Sequence, residues 1–238
     1  STRFGPIATQ KTERTDGTIL LNAPHPLESY PARLTERLVD WAQAAPERVF
    51  IARRSAQGST PGNTLGDWQT LTYAQTLERV RSLAQALLDQ QFPSQRTIAM
   101  LSENSLEHAL LALAALHVGI PYAPISPPYS LLSQDFGKLR HTLALMTPGL
   151  IFAFDGQRYS NALQIAHSLF PDATLVVVKN PPAGLPCTSF ADLQATTPTD
   201  AVEAAFAQVT PDTVAKVLFT SGSTNLPKGV INTQRLWC

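Results

Sequence analysis

The stretch LFTSGSTNLPKG, residues 218–229, sets an apolar run against a cluster of hydroxyls and glycines and closes with a lysine behind a proline. The residues leading into it, VAKVLFT (214–220), read as a buried strand, and Val230-Ile231 beyond it read as strand again. A buried strand ending in Thr-Ser-Gly-Ser-Thr holds hydroxyls and backbone N–H groups at the carboxyl edge of a sheet, where ligands of open α/β folds bind. Small residues let the backbone approach an anion closely, and consecutive N–H groups form a concavity for phosphate oxygens. Lys228 adds a mobile positive charge. Pro227 removes a competing N–H and restricts Leu226 to extended backbone. The lysine precedes its glycine here, so the pattern differs from the G-x-x-x-x-G-K-S/T loop that opens a helix.

Outward from this loop, the chain alternates helix and strand. Leu34, Leu38, Trp41 and Ala45 fall at helical spacing and Pro46 ends the run; VFIARR (49–54) and WQTLTY (68–73) read as a hairpin with a long tip. Leu77, Val80, Leu83, Ala84, Leu87 and Leu88 form one apolar face of a helix, followed by the strand TIAML (97–101). SENSLEHALLALAALHVG offers Ser102 and Asn104 as capping residues and Gly119 as a stop, and the strand-like YAPIS comes next. SQDFGKLRHTLALM precedes LIFAF (150–154), and RYSNALQIAHSLF precedes ATLVVV (173–178). Strands separated by helices of this length imply parallel pairing, and strands apolar on all sides require a sheet covered on both faces. The predicted fold is therefore a layered α/β domain. Residues 179–200 read as a Pro-rich connector, AVEAAFAQV as a short helix, and residues 1–33, with four prolines, as an extended N-terminal arm ahead of a domain spanning 34–238.

Composition narrows the function. The chain has 238 residues, of which 44% are apolar, as in a globular protein. Its 18 basic residues match its 18 acidic ones, so no global field draws it to nucleic acid or an anionic membrane. Cys187 and Cys238 have neither the number nor the spacing of a disulfide framework or a zinc site, which fits a reducing cytoplasm. The run ALLALAALHVGI is too short to span a bilayer and reads as a helix covering a sheet. The five histidines, His25, His108, His117, His141 and His167, share no ligand spacing, so no metal site is expected; His108 and His117 read as core-edge residues. Glu103, Glu107, Asp135 and Asp155 show no paired arrangement for acid/base work and read as surface groups.

The motif TSGSTNLPKG (220–229) resembles the signature loop of the adenylate-forming, or acyl-activating, enzyme superfamily, usually T-S-G-S/T-T-G-x-P-K-G. LTYAQTLERVRSLAQAL (71–87) and LAALHVGIPYAPISPPYS (113–130) resemble two further core motifs of that family, in the right order. Within the superfamily, AKVLFTSGSTNLPKGVINTQR together with the block LSENSLEHALLALAALHVGIPYAPISPPYS is similar to bacterial feruloyl-CoA synthetases; Gln234 follows Thr233 where many members carry a histidine. The resemblance implies a two-step ligation. A carboxylate attacks the α-phosphate of MgATP to give acyl-adenylate and pyrophosphate, and the thiol of coenzyme A then displaces AMP. In that scheme Thr220, Ser221, Ser223 and Thr224 supply hydroxyls to the ATP phosphates, Gly222 and Gly229 allow close approach, and Lys228 stabilises charge on the departing pyrophosphate. Asn225 stands where the family has glycine; asparagine tolerates positive φ, so the turn is expected to persist with some strain.

The resemblance also places the family's aromatic-rich pocket, magnesium-holding acid, ribose-binding aspartate and C-terminal lysine beyond this loop. On that basis the chain is expected to be the amino-terminal part of a longer acid–CoA ligase, to form no acyl-adenylate by itself, and to self-associate through an unpaired sheet edge. A helix is expected to begin within INTQRLWC (231–238). Two alternatives stand beside this one: a non-catalytic module that binds nucleotide phosphates or a partner, and a peptide-synthetase adenylation domain that hands its acyl group to a carrier-protein thiol.

Overall fold

The structure is a computed structural model that describes residues 8–26, 28–55, 66–91, 93, 96–220 and 226–238. It divides into two compact units, Ser1–Tyr30 and Pro31–Cys238. In the first, β1 (Gln10–Glu13) and β2 (Ile19–Asn22) pair antiparallel, Gln10 opposite Asn22 and Glu13 opposite Ile19. Asp16 and Gly17 make the turn: Asp16 Oδ1 accepts from Thr18 N–H at 2.9 Å, and Gly17 takes φ +83°, a conformation without side-chain penalty only for glycine. A stretch read from sequence as extended arm thus holds a hairpin, because four-residue strands leave too short a pattern to recognise.

The second unit carries the alternation expected of it. Helix α1 (Glu36–Ala44) leads into the hairpin β3 (Val49–Arg54) and β4 (Trp68–Thr72), then α2 (Tyr73–Asp89) and β5 (Thr97–Met100). Helix α3 (Leu106–His117), β6 (Tyr122–Pro124), α4 (Pro127–Leu131) and α5 (Gly137–Met146) follow, then β7 (Pro148–Asp155), α6 (Ser160–Leu169) and β8 (Thr174–Lys179). The last elements are β9 (Cys187–Ser189), α7 (Phe190–Gln194), α8 (Asp200–Gln208), β10 (Val214–Thr220) and β11 (Lys228–Thr233), closed by a 3₁₀ turn at Gln234–Leu236. Seven of these strands form one sheet in the order β11-β10-β6-β5-β7-β8-β9. All neighbours are parallel except β10 and β11.

Alternation along the central strands places the core. Ile98 and Met100 of β5, Leu150 and Phe152 of β7 and Val176 of β8 pack on one face, beneath α2 and α3. Ala99 and Leu101, Ile151 and Ala153, and Leu175 and Val177 pack on the other, beneath α5 and α6. A strand buried on both sides must be apolar at every position, which is why these segments read as continuous runs. Helix α2 starts at a reciprocal cap, in which Thr72 Oγ1 accepts from Gln75 N–H at 3.2 Å and Gln75 Oε1 accepts from Thr72 N–H at 3.0 Å.

Several local expectations change. Ser105, not Ser102 or Asn104, caps α3, its Oγ accepting from His108 N–H at 3.0 Å. The connector at 179–200 contains β9 and α7. VAKVLFT is a strand, but Ala215 alone in it is buried, because β10 and β11 lie at the sparsely covered end of the sheet. No helix opens within INTQRLWC: the strand runs on to Thr233 and a single 3₁₀ turn ends it. His117 is fully buried rather than at the core edge. Among the described residues, no helix is long and apolar enough to cross a membrane.

Candidate functional site

The phosphate-loop sequence sits between β10 and β11. Their ladder runs from Val214↔Thr233 to Thr220↔Lys228, so Thr220 and Lys228 form the last pair before the connection. Both are exposed, and Thr220 Oγ1 lies 3.4 Å from the Lys228 carbonyl oxygen, to which it donates. Ser221, Gly222, Ser223, Thr224 and Asn225, all expected to face phosphate, lie outside the described residues. Thr220, Lys228 and Gly229 are described, and the structure brings them together at the end where the parallel strands also terminate.

Lys228 has no ion-pair partner among the described residues, so its ammonium is available to an anion. Lys216, on the neighbouring strand, is engaged instead: its Nζ lies 3.3 Å from the Trp237 ring centroid, and burial lowers its pKa. Gly229 opposes Phe219 in the ladder, and a Cβ added there would meet Val217 Cγ1 at 2.9 Å and Phe219 Cε1 at 3.4 Å. The absent side chain lets β11 lie close over β10's side chains, a packing reason for glycine that the motif alone does not reveal.

Beyond the last ladder pair, Leu226 is exposed and Pro227 is buried. The Pro227 carbonyl lies 2.9 Å from Nε2 of His141, on α5. A cleft of about 630 Å³ opens beside this contact, lined chiefly by His141 and Leu145 of α5, Val217 and Phe219 of β10, and Leu226 and Ile231. Its walls are largely apolar.

A second cleft, about 420 Å³, lies at the carboxyl ends of β5, β7 and β8. Sheet order reverses between β5 and β7, the kind of point where open α/β sheets form a crevice. Arg53, Arg54, Glu103, Asp155, Arg158 and Lys179 line it. Arg158 grips Glu103 with two bonds, at 2.7 and 3.1 Å, and Lys179 lies 3.5 Å from Asp155. Burial works against ionised Asp155, but hydrogen bonds from Arg158 N–H and Asn180 and the Lys179 ammonium hold its pKa below the usual value. Glu103 and Asp155, read from sequence as surface groups, are thus cross-linked within this cleft; partners 55 and 24 residues away leave no local signal.

Gln234, which follows Thr233 at the end of β11, has a structural role. Its side chain is fully buried: Oε1 accepts from Leu34 N–H at 3.0 Å, and Nε2 donates to the Leu116 carbonyl at 3.2 Å. The residue expected from the family resemblance to be a point of difference is thus a buried clamp on two backbone groups.

A model of the AMP-binding enzyme family matches residues 38–237. Among curated proteins, the chain is 33% identical over 172 residues to an octahydro-indenyl propanoyl:CoA ligase of Rhodococcus jostii (strain RHA1), covering 69% of this chain and 33% of that one. It is 27% identical over 202 residues to a linear gramicidin synthase of Brevibacillus parabrevis, covering 81% of this chain and 4% of that one. The chain therefore spans a third or less of these relatives. Among solved structures, the fold is similar to the A domain of carboxylic acid reductase from Segniliparus rugosus in complex with AMP and a co-purified carboxylic acid (TM-score 0.63, 18% identity, 86% of this chain and 36% of that one). It is also similar to fatty acyl-adenylate ligase from L. pneumophila in complex with acyl adenylate and pyrophosphate (TM-score 0.58, 17% identity, 85% and 30%). These likenesses identify the α/β architecture as that of the N-terminal domain of adenylate-forming enzymes.

Proposed function

The chain belongs to the AMP-binding enzyme family, and from that premise we propose that it carries the polyphosphate grip of an ATP-dependent acid–thiol ligase. In this reading residues 34–238 form the AMP-binding part and 1–33 precede it. The supporting observation is the pair Thr220↔Lys228, which ends a strand ladder at the carboxyl edge of the sheet with the lysine ammonium unpaired among the described residues. Thr220 and the loop residues Ser221, Gly222, Ser223, Thr224 and Asn225, with Lys228 and Gly229, contact the ATP phosphates. The acid's carboxylate oxygen bonds to the α-phosphorus as the bond to the bridging oxygen breaks, and pyrophosphate leaves with the charge that Lys228 offsets. Coenzyme A sulfur then attacks the acyl carbon, forming the thioester and releasing AMP. Magnesium enters with ATP as part of the substrate; among the described residues no cluster of three His, Cys, Asp or Glu is placed to hold it.

The acid we propose is aromatic, of the hydroxycinnamic (feruloyl) class. That choice rests on the likeness of residues 215–235 to feruloyl-CoA synthetases, and Gln234, being a buried clamp, lends it no substrate contact. A second reading, peptide-synthetase adenylation, is favoured by the likeness to the gramicidin synthase. The two differ in the thiol that accepts the acyl group: coenzyme A in the first, a carrier-protein thiol in the second. The test uses the intact enzyme, following acid-dependent pyrophosphate release and thioester formation separately. Lys228→Ala should slow adenylation by about 2–4 kcal/mol in transition-state stabilisation while leaving transfer from preformed acyl-adenylate nearly unchanged. Equal slowing of both half-reactions would give Lys228 a structural role and remove the polyphosphate reading.

A further inference from the structure

We infer that His141 is a positioning residue for the phosphate loop, acting through the Pro227 carbonyl to fix the place of Lys228. The inference rests on the polyphosphate reading of the loop. A carbonyl oxygen only accepts, so at 2.9 Å the His141 Nε2 carries the proton and donates it to Pro227 O. That bond spans 86 residues and joins the loop's outgoing limb to α5.

The geometry explains why this contact matters to the next residue. Strand pairing stops at Thr220↔Lys228, so Leu226 and Pro227 lie beyond the ladder. Besides packing at the buried Pro227, the bond from His141 is the hydrogen bond that ties this limb to another element among the described residues. The pyrrolidine ring already fixes φ of Pro227 near −65°. Orienting its carbonyl fixes ψ as well, because the carbonyl and the following N–H lie in one peptide plane. Both soft torsions immediately before Lys228 are therefore set, one by covalent structure and one by His141. The anchor is rigid: on the same helix Leu139, Leu143 and Met146 are buried against the sheet. A group that must meet a polyphosphate gains most when its placement is settled before the ligand arrives.

Calorimetry with tripolyphosphate as the probe tests this on the intact protein. His141→Phe, which keeps an aromatic ring in the cleft but donates nothing, should weaken binding about three- to tenfold, the range expected for one lost hydrogen bond. His141→Gln restores an N–H donor and should recover most of that loss. If His141 acts through Lys228, His141→Phe should add nothing in a Lys228→Ala background. Unchanged affinity in His141→Phe while Lys228→Ala binds weakly would overturn the role of His141 alone, as would failure of His141→Gln to recover binding. A full further loss on top of Lys228→Ala would overturn action through that lysine. No effect of Lys228→Ala, or no binding by the unaltered protein, would end the polyphosphate reading and this inference with it. Melting curves keep folding apart from binding, and His141→Ala replaces His141→Phe if the latter does not fold.

Discussion

Acid should destabilise this protein as pH falls from 6.5 towards 4, with His117 a main contributor. His117, at the end of α3, is fully buried, with Nδ1 3.2 Å from Thr35 Oγ1 and its ring stacked 4.3 Å from that of Phe206. Its Nε2 is buried without a partner among the described residues. Burial, with the nearby Arg81 and Arg33 charges, lowers its pKa from 6.5 to about 4. A depressed folded pKa means that the unfolded chain takes up the proton first. The contribution is therefore complete above pH 6.5, falls as pH drops towards 4, and is exhausted below it. The span corresponds to about 3 kcal/mol, or about 1.5 M in urea midpoint at an m-value of about 2 kcal/mol/M. Urea melts between pH 7.5 and 4 would measure it, with His117→Phe as the reference, since phenylalanine keeps the stack and cannot protonate. His108, whose pKa burial also lowers, adds a slope of the same sign that the comparison removes. Parallel stability–pH curves for the two proteins would refute the assignment.

Two further substitutions probe the strand that carries Lys228. Gly229→Ala would push a methyl to 2.9 Å from Val217 Cγ1 and should cost about 1–3 kcal/mol, seen as a melting temperature lower by several degrees; an unchanged melt would mean that β11 shifts freely over β10. Gln234→Ala would leave the Leu34 N–H and Leu116 carbonyl without their buried partner, at about 2–4 kcal/mol, whereas a loss below about 0.5 kcal/mol in denaturant melts would contradict a clamp.

What was legible in the sequence was what repeats. The central strands show themselves because both faces are buried, and Leu150, Ile151, Phe152 and Ala153 are accordingly all apolar. Helix α2 announces itself through its spacing, whereas its Thr72–Gln75 cap falls where the sequence reads as the end of a strand. Short elements leave no period: β9 has three residues, and α4 begins with Pro127-Pro128, residues that suit a first helical turn but read as loop. The loop motif was legible as a family signature, and the match of the AMP-binding enzyme family over residues 38–237 includes it. The histidine that holds its outgoing limb was not, because His141 meets Pro227 only through the crossover from α5 to the far edge of the sheet.

These contacts bear on how an edge strand can present a lysine with any accuracy. β11 pairs on one side only, and Val230 and Ile231 are 47% and 62% exposed, so little apolar burial holds the strand along its length. Its ends are secured instead. At one end Gln234 ties the closing turn to Leu34 and Leu116, while Gln234 N–H donates to the Thr213 carbonyl at 3.0 Å. At the other, His141 holds Pro227. Between them the β10 ladder fixes register, with Gly229 seated over Val217 and Phe219. Slippage by one residue would flip every side chain to the other face and carry Lys228 with it. Clamps at both ends oppose that slip without burying the strand, and Thr220 and Lys228 stay exposed at its end.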